Sequence, residues 1–150
     1  MYKEINEFLQ ARSIAVVGVS RNEKSFGRTL LKAFSSRGYN VLVVNPNADS
    51  IDCYSCYRSI AQLPENVEAA YILKRNEVAV QLAREAATKG IKKIWIHVKC
   101  NSPELKEISN EYGVSIIVGE CFYMWAEPVK GIHRIHRFLH DLFSSGKEKN

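Results

Sequence analysis

The run Ile14-Ala15-Val16-Val17-Gly18-Val19-Ser20-Arg21-Asn22-Glu23-Lys24-Ser25-Phe26-Gly27-Arg28 limits what this chain can fold into more than any other stretch. Its apolar start is rich in Ile and Val and is cut off at Gly18, which disfavours a helix and marks a short buried strand. A polar loop follows, and beyond Gly27 the residues Leu30, Leu31 and Phe34 recur at helical spacing. Strand, glycine-bounded loop and helix, in that order, put backbone N–H groups and the positive end of a helix at the carboxyl edge of a parallel sheet. That edge suits an anionic ligand.

The same alternation runs through the rest of the chain. Ile5, Phe8 and Leu9 predict a short amphipathic helix within residues 1–12, ahead of a first strand over Ser13–Val19. The helix that starts at Gly27 stops at Arg37-Gly38, and Tyr39–Val44 is a second apolar strand ended by Asn45-Pro46-Asn47. Residues 48–66 read as a looser connection with a short strand at Ile51–Cys53 and a helical turn at Tyr57–Leu63. Ala69–Leu73, Ile94–Val98 and Val114–Val118 are further strands, separated by helices over Glu77–Thr88, closed by Gly90, and Pro103–Tyr112, with Ser102 as N-cap. A last helix over Val129–Phe143 and a polar tail at 144–150 complete the reading. The fold class expected is α/β: a doubly wound, mostly parallel sheet of five or six strands with helices on both faces and right-handed crossovers. A chain of 150 residues, 46% of them hydrophobic, has material for one ordinary core, so a single domain over 1–150 is expected.

Charge and composition narrow the partners. The formal net charge of +5 favours acidic ligands, but Asp and Glu are interspersed among Lys and Arg without a basic block, so nucleic acid is not expected. No apolar stretch is long enough to span a bilayer, and Met1–Glu7 lacks the regions of a signal peptide, so no membrane partner and a cytoplasmic location are expected. The 4 cysteines, Cys53, Cys56, Cys100 and Cys121, are read as reduced thiols in a chain with enough core to need no disulfide.

Ligands in such sheets bind beyond the carboxyl ends of the strands. Those ends read Gly18-Val19-Ser20-Arg21, Asn45-Pro46-Asn47, Leu73-Lys74-Arg75-Asn76, His97 and Gly119-Glu120-Cys121. The first loop departs from the dinucleotide fingerprint, because Ser20 stands at the second glycine position and Gly18 and Gly27 are too far apart. Asn45 and Pro46 stand where that fingerprint expects a carboxylate for the ribose hydroxyls. Ser20, Arg21 and Lys24 instead supply a hydroxyl and two cations, which suits a pyrophosphate plus a further phosphate.

Val17-Gly18-Val19-Ser20-Arg21, Val44-Asn45-Pro46-Asn47 and Gly119-Glu120-Cys121, in that order and spacing, resemble the CoA-binding domain family. These are small Rossmann-like proteins similar to the N-terminal domain of the succinyl-CoA ligase α subunit. Cys56-Tyr57-Arg58-Ser59-Ile60-Ala61-Gln62-Leu63-Pro64 also looks like the family's segment between the second and third long strands. The resemblance implies that coenzyme A, or an acyl-CoA, lies across the sheet edge with its phosphates at the first loop. Gly18, Val19, Ser20, Arg21 and Lys24 would then approach the phosphates, Phe26 and Gly27 would open the helix behind them, and Asn45 and Pro46 would border the nucleotide. Leu73, Lys74 and Arg75 would line the adenine or ribose side, and His97 and Cys121, at later strand ends, join the candidate contacts. Val19 departs from the Ala often found there and would narrow the approach to the loop. The ligase also needs a second domain with a phosphorylated histidine, so ligase activity of this chain alone is not expected.

Catalytic groups are sparse. Cys121 and His97 could form a thiol–imidazole pair, although a buried thiol and a hydrogen-bonded imidazole explain them as well and neither has an evident third partner. His133, His136 and His140 share a helix face but span too far for one metal ion, and they fit a basic helix that contacts a second copy or a protein partner. Cys53-Tyr54-Ser55-Cys56 lacks the context of a redox or zinc site. Two readings result: a non-catalytic module binding CoA or an acyl-CoA, and an enzyme, either an NAD(P)-linked oxidoreductase or an acyl-CoA protein using Cys121 or His97.

Overall fold

A computed structural model describes residues 2–126, so the helix and tail expected at 129–150, with His133, His136 and His140, lie outside the described residues. All five residues of strand β1 (Ser13–Val17) are buried, and a strand without a solvated side must be covered by layers on both of its faces. It pairs in parallel with β2 (Asn40–Val44) on one side and with β5 (Ala69–Ile72) on the other. Beyond β5 lie β6 (Lys93–Ile96) and β7 (Ser115–Val118), also parallel.

Beyond β2 the sheet gains β4 (Tyr54–Tyr57), parallel to it, and β3 (Ser50–Ile51), antiparallel to β4. The sheet therefore has seven strands in the order β3-β4-β2-β1-β5-β6-β7, where five or six were expected. The additional strands come from residues 50–57, where a single short strand at Ile51–Cys53 was predicted. Asp52 adopts φ 51°, so the chain turns there and folds back as a hairpin. The helical turn expected at Tyr57–Leu63 is a 3₁₀ turn at Ile60–Gln62.

Register decides where the strands stop. Val44, Val17 and Ile72 are partners across the sheet, Ile72 pairs with Ile96, and Ile96 with Val118, so the long strands end side by side along one edge. The strand order reverses at β1, and the gap between the loops leaving β1 and β5 is the crevice of a doubly wound sheet.

The two faces are covered differently. Helices α3 (Asn76–Lys89) and α4 (Pro103–Tyr112) pack on Val17, Ala70, Ile72, Ile94 and Ile96, and α3 presents the small residues Ala79, Ala83 and Ala86. Tyr71 and Trp95, which alternate with these along the strands, meet Phe8 of α1 (Tyr2–Leu9) and Phe34 of α2 (Phe26–Ser36) on the other face. Ser102 stands at the N-cap of α4 as predicted, without a side-chain cap bond. The described residues up to Gly119 form one compact unit, and those from Glu120, with the short helix α5 (Phe122–Trp125), belong to a second. No helix among the described residues is long and apolar enough to cross a membrane.

Phe8 is fully buried, with its ring edge-on to Trp95 at 5.1 Å and to Tyr71 at 6.2 Å. Phe8→Ala should therefore lower the unfolding free energy by about 3–5 kcal/mol, measured by chemical denaturation.

Candidate ligand-binding site

The site begins where β1 stops. Gly18 has φ 92°, and its amide donates to the Val44 carbonyl at 3.2 Å. A Cβ at this position would stand 3.0 Å from Cγ and Cε of Lys74, so the Lys74 stem lies across the Gly18 backbone. Backbone conformation and close approach both call for glycine here. The contact joins the first loop to the end of β5 at the crevice.

The next residue turns inward. Val19 is 1% exposed, and its Cγ1 and the Leu73 Cδ1 lie 3.4 and 3.0 Å from where a Cβ on Gly27 would sit. Val19 and Leu73 thus form an apolar floor on which α2 rests. This corrects the expectation that Val19 narrows the approach, because its bulk is spent in the core.

Asn45 is likewise buried and holds the loop from below. Its Nδ2 donates to the Val19 carbonyl at 2.8 Å, while its Oδ1 accepts from the Asn47 amide at 2.7 Å. With both ends of its amide engaged, Asn45 is a positioning residue for the loop. Pro46 beside it is exposed, and its carbonyl accepts from Arg58 Nη1.

The loop itself is a series of local turns. Ser20 Oγ accepts from the Asn22 amide at 3.1 Å, Asn22 Oδ1 accepts from the Lys24 amide at 3.0 Å, and the Asn22 carbonyl accepts from the Ser25 amide. Ser25 is the N-cap of α2, its hydroxyl accepting from the Arg28 amide at 3.4 Å, so the helix starts one residue before the predicted Gly27.

Arg28 is the residue that the sequence reading missed. It is 6% exposed, its Nε donates to Asp52 Oδ2 at 2.9 Å, a second arm pairs with Asp52 Oδ1, and Nη1 donates to the Arg21 carbonyl at 3.0 Å. One guanidinium therefore ties the loop to the β3–β4 hairpin. An arginine beside Gly27 and two before Leu30, on an apolar helix face, was the available signal. Nothing in the sequence pointed to Asp52.

Four cations surround this framework. Arg21, Lys24, Lys74 and Arg75 are exposed, and among the described residues none has an ion-pair partner. Arg21 and Lys24 stand on the loop just before α2, and Lys74 lies over Gly18 with Arg75 next to it.

His97 follows β6, its amide donating to the Ile72 carbonyl at 3.0 Å. Its Nδ1 is 2.8 Å from the Tyr71 hydroxyl, and the Phe26 ring lies over the imidazole with centroids 4.7 Å apart. The expectation that His97 has no third partner is corrected by Tyr71, a residue buried in the middle of the sheet and silent in the sequence. Burial holds the His97 pKa below the usual imidazole value. Cys121 is the N-cap of α5, in the unit that does not carry His97.

The remaining thiols have local roles. Cys56 Sγ donates to the Ala48 carbonyl at 3.3 Å, and burial pushes its pKa up, the opposite of a reactive thiolate. All four cysteines are free, and no cluster able to hold a metal ion occurs among the described residues. Further along the sheet edge, a cavity of about 390 Å³ lies between the starts of α3 and α4, lined by Asn76, Val80, Cys100 and Ser102 among others.

A doubly wound, mostly parallel sheet, with a glycine turn, a helix N-terminus and exposed cations at its strand-order reversal, is a Rossmann-like domain. Residues 12–126 match the CoA binding domain, and the chain belongs to that family. It is 29% identical over 121 residues to an ADP-forming acetate–CoA ligase of Archaeoglobus fulgidus, the match covering 74% of this chain and 18% of the ligase. An uncharacterized protein of Bacillus subtilis is 25% identical over 119 residues, covering 79% of this chain and 88% of that protein. Among solved structures, a conserved hypothetical protein of Pyrococcus furiosus is 38% identical, with a TM-score of 0.66, over 73% of this chain and 95% of its own.

Asp52→Asn keeps a side chain that tolerates positive φ but removes the charge facing buried Arg28. It should cost about 1–3 kcal/mol and speed amide exchange over residues 20–25, read by denaturation and by hydrogen exchange. For His97, the lowered folded pKa means that the unfolded chain binds the proton first as pH falls. Its contribution to stability is therefore present at neutral pH and lost as pH drops through the ordinary imidazole range. NMR titration should place its midpoint below that of an exposed histidine.

Proposed function

We propose that this chain binds coenzyme A or an acyl-CoA at the carboxyl edge of its sheet, as a non-catalytic module. The observation that carries the reading is the group of exposed cations Arg21, Lys24, Lys74 and Arg75, without ion-pair partners among the described residues, around Gly18 and the start of α2. CoA bears a pyrophosphate and a separate ribose phosphate, and cations on two neighbouring loops match that spread of charge better than they match a single phosphate. The membership of the CoA binding domain family supports the same ligand.

NAD is the weaker candidate. It needs a ribose acceptor at the end of β2, and the Asn45 amide there is committed to the Val19 carbonyl and the Asn47 amide. The non-catalytic part of the reading draws on the thiols and the histidine. Cys56 and Cys100 donate to the carbonyls of Ala48 and Asn76 rather than to a base, and His97 is engaged by Tyr71 and Phe26.

Calorimetric titration with CoA, dephospho-CoA, NAD and NADP tests the proposal. Saturable CoA binding is expected, weakened about tenfold for dephospho-CoA or in Lys74→Ala, since each removes a charge-assisted contact. Ser20→Trp, which fills the loop, should abolish it. Absence of CoA binding, or tighter binding of NAD, would overturn the reading in favour of a dehydrogenase-like site.

A further inference from the structure

The unabsorbed feature of the edge is the trio Tyr71, His97 and Phe26. An imidazole nitrogen is a better hydrogen-bond acceptor than a phenol oxygen, so at 2.8 Å the Tyr71 hydroxyl donates to Nδ1 of neutral His97. The ring proton is then on Nε2. Tyr71 is fully buried and wedged among Phe8, Phe34 and Trp95, so its hydroxyl is a fixed point, and the hydrogen bond fixes both tautomer and ring orientation. Nε2–H has no partner among the described residues, and the ring is only half-buried. A preorganised, uncharged donor is thus held at the carboxyl edge.

Phe26 shows what this donor faces. It is the first residue of α2, directly after the cap Ser25, and its ring is 42% exposed although it stacks on His97 at 4.7 Å. The ring therefore bridges the start of α2 to the end of β6. In the CoA reading, an arm that extended from phosphates at α2 toward β6 would pass over this apolar ring and reach the N–H donor. Carbonyl oxygens are the acceptors that such an arm carries in CoA, in the pantetheine amides and in an acyl thioester.

We infer that His97 is a specificity residue, donating Nε2–H to a carbonyl oxygen on the non-nucleotide arm of the ligand, with Tyr71 as its positioning residue and Phe26 as the apolar platform. The inference rests on the CoA reading above and adds what lets the site distinguish CoA from a bare nucleotide.

The test titrates wild type, His97→Phe and Tyr71→Phe with adenosine 3′-phosphate 5′-diphosphate, CoA, acetyl-CoA and S-ethyl-CoA. Phe at 97 keeps a ring on Phe26 without the donor, and Phe at 71 removes one hydroxyl from a packed core. His97→Phe is expected to weaken acetyl-CoA roughly threefold to tenfold, the worth of one neutral hydrogen bond, together with CoA where the acceptor is a pantetheine amide, and to leave the bisphosphate nucleotide unchanged. Tyr71→Phe should move in the same direction by less. Equal losses for acetyl-CoA and S-ethyl-CoA assign the acceptor to a pantetheine amide, and a loss confined to acetyl-CoA assigns it to the thioester. In wild type, NMR should show the Nε2–H tautomer of His97, with its Nε2 signal shifted by CoA and not by the nucleotide. The inference is overturned if His97→Phe weakens all ligands alike, or none, while CoA still binds. Failure of wild type to bind any CoA species would instead overturn the CoA reading itself.

Discussion

Pairing of β1 with a parallel strand on each side is the constraint on which the site depends. Because both its hydrogen-bonding edges are used and both its faces are covered, β1 must release the chain at Gly18, between the ends of β2 and β5. The loop then has only one place to go, and the helix after it begins over the crevice where the strand order reverses. The Gly18 amide continues the ladder by one bond to Val44, and the Lys74 stem closes over it from the other side. The meeting of cations from two separate loops is a consequence of that pairing.

Buried polar side chains anchor the loop from below, beside the apolar floor of Val19 and Leu73 and the loop's own turns. Asn45 holds the Val19 carbonyl from β2, and Arg28 holds the Arg21 carbonyl from α2 while Asp52 balances its charge. The Val19 carbonyl, on a buried residue, would otherwise be stranded near the core, which costs more than the bond itself contributes. With these anchors below, the exposed cations above need no partners within the chain to hold the backbone. The division of labour is chemical: amide and guanidinium groups inside position the loop, and ammonium and guanidinium groups outside remain available to anions.

The β3–β4 hairpin illustrates how a small element acquires importance through the fold. It adds only short strands at the sheet edge, yet its turn carries Asp52, the counter-charge for the buried arginine. Tyr71 plays a similar double part on the other side of the crevice. Its ring belongs to the aromatic layer with Phe8, Phe34 and Trp95, and its hydroxyl emerges at His97.

Much of the architecture was legible along the chain because it is written in local periodicity. The strands expected at Ser13–Val19, Tyr39–Val44 and Ile94–Val98 are present with shifted ends, at Ser13–Val17, Asn40–Val44 and Lys93–Ile96, while the helix bounds at Pro103–Tyr112 and the cap at Gly90 stand as read, since all depend on neighbours a few residues away. The position of Gly18, Ser20, Arg21 and Lys24 on the loop between β1 and α2 was legible for the same reason, since a strand–glycine–loop–helix pattern places them there without knowledge of the rest. Three-dimensional packing alone decided the partners: Arg28 with Asp52 across 24 residues, Asn45 with Val19 across 26, and Tyr71 with His97 across 26. That the Val19 side chain points into the core was not legible either, because the direction of a side chain at a turn is set by what lies beneath it. Local order is encoded by spacing, whereas a contact between distant residues exists only once strand order and register have brought them to the same edge.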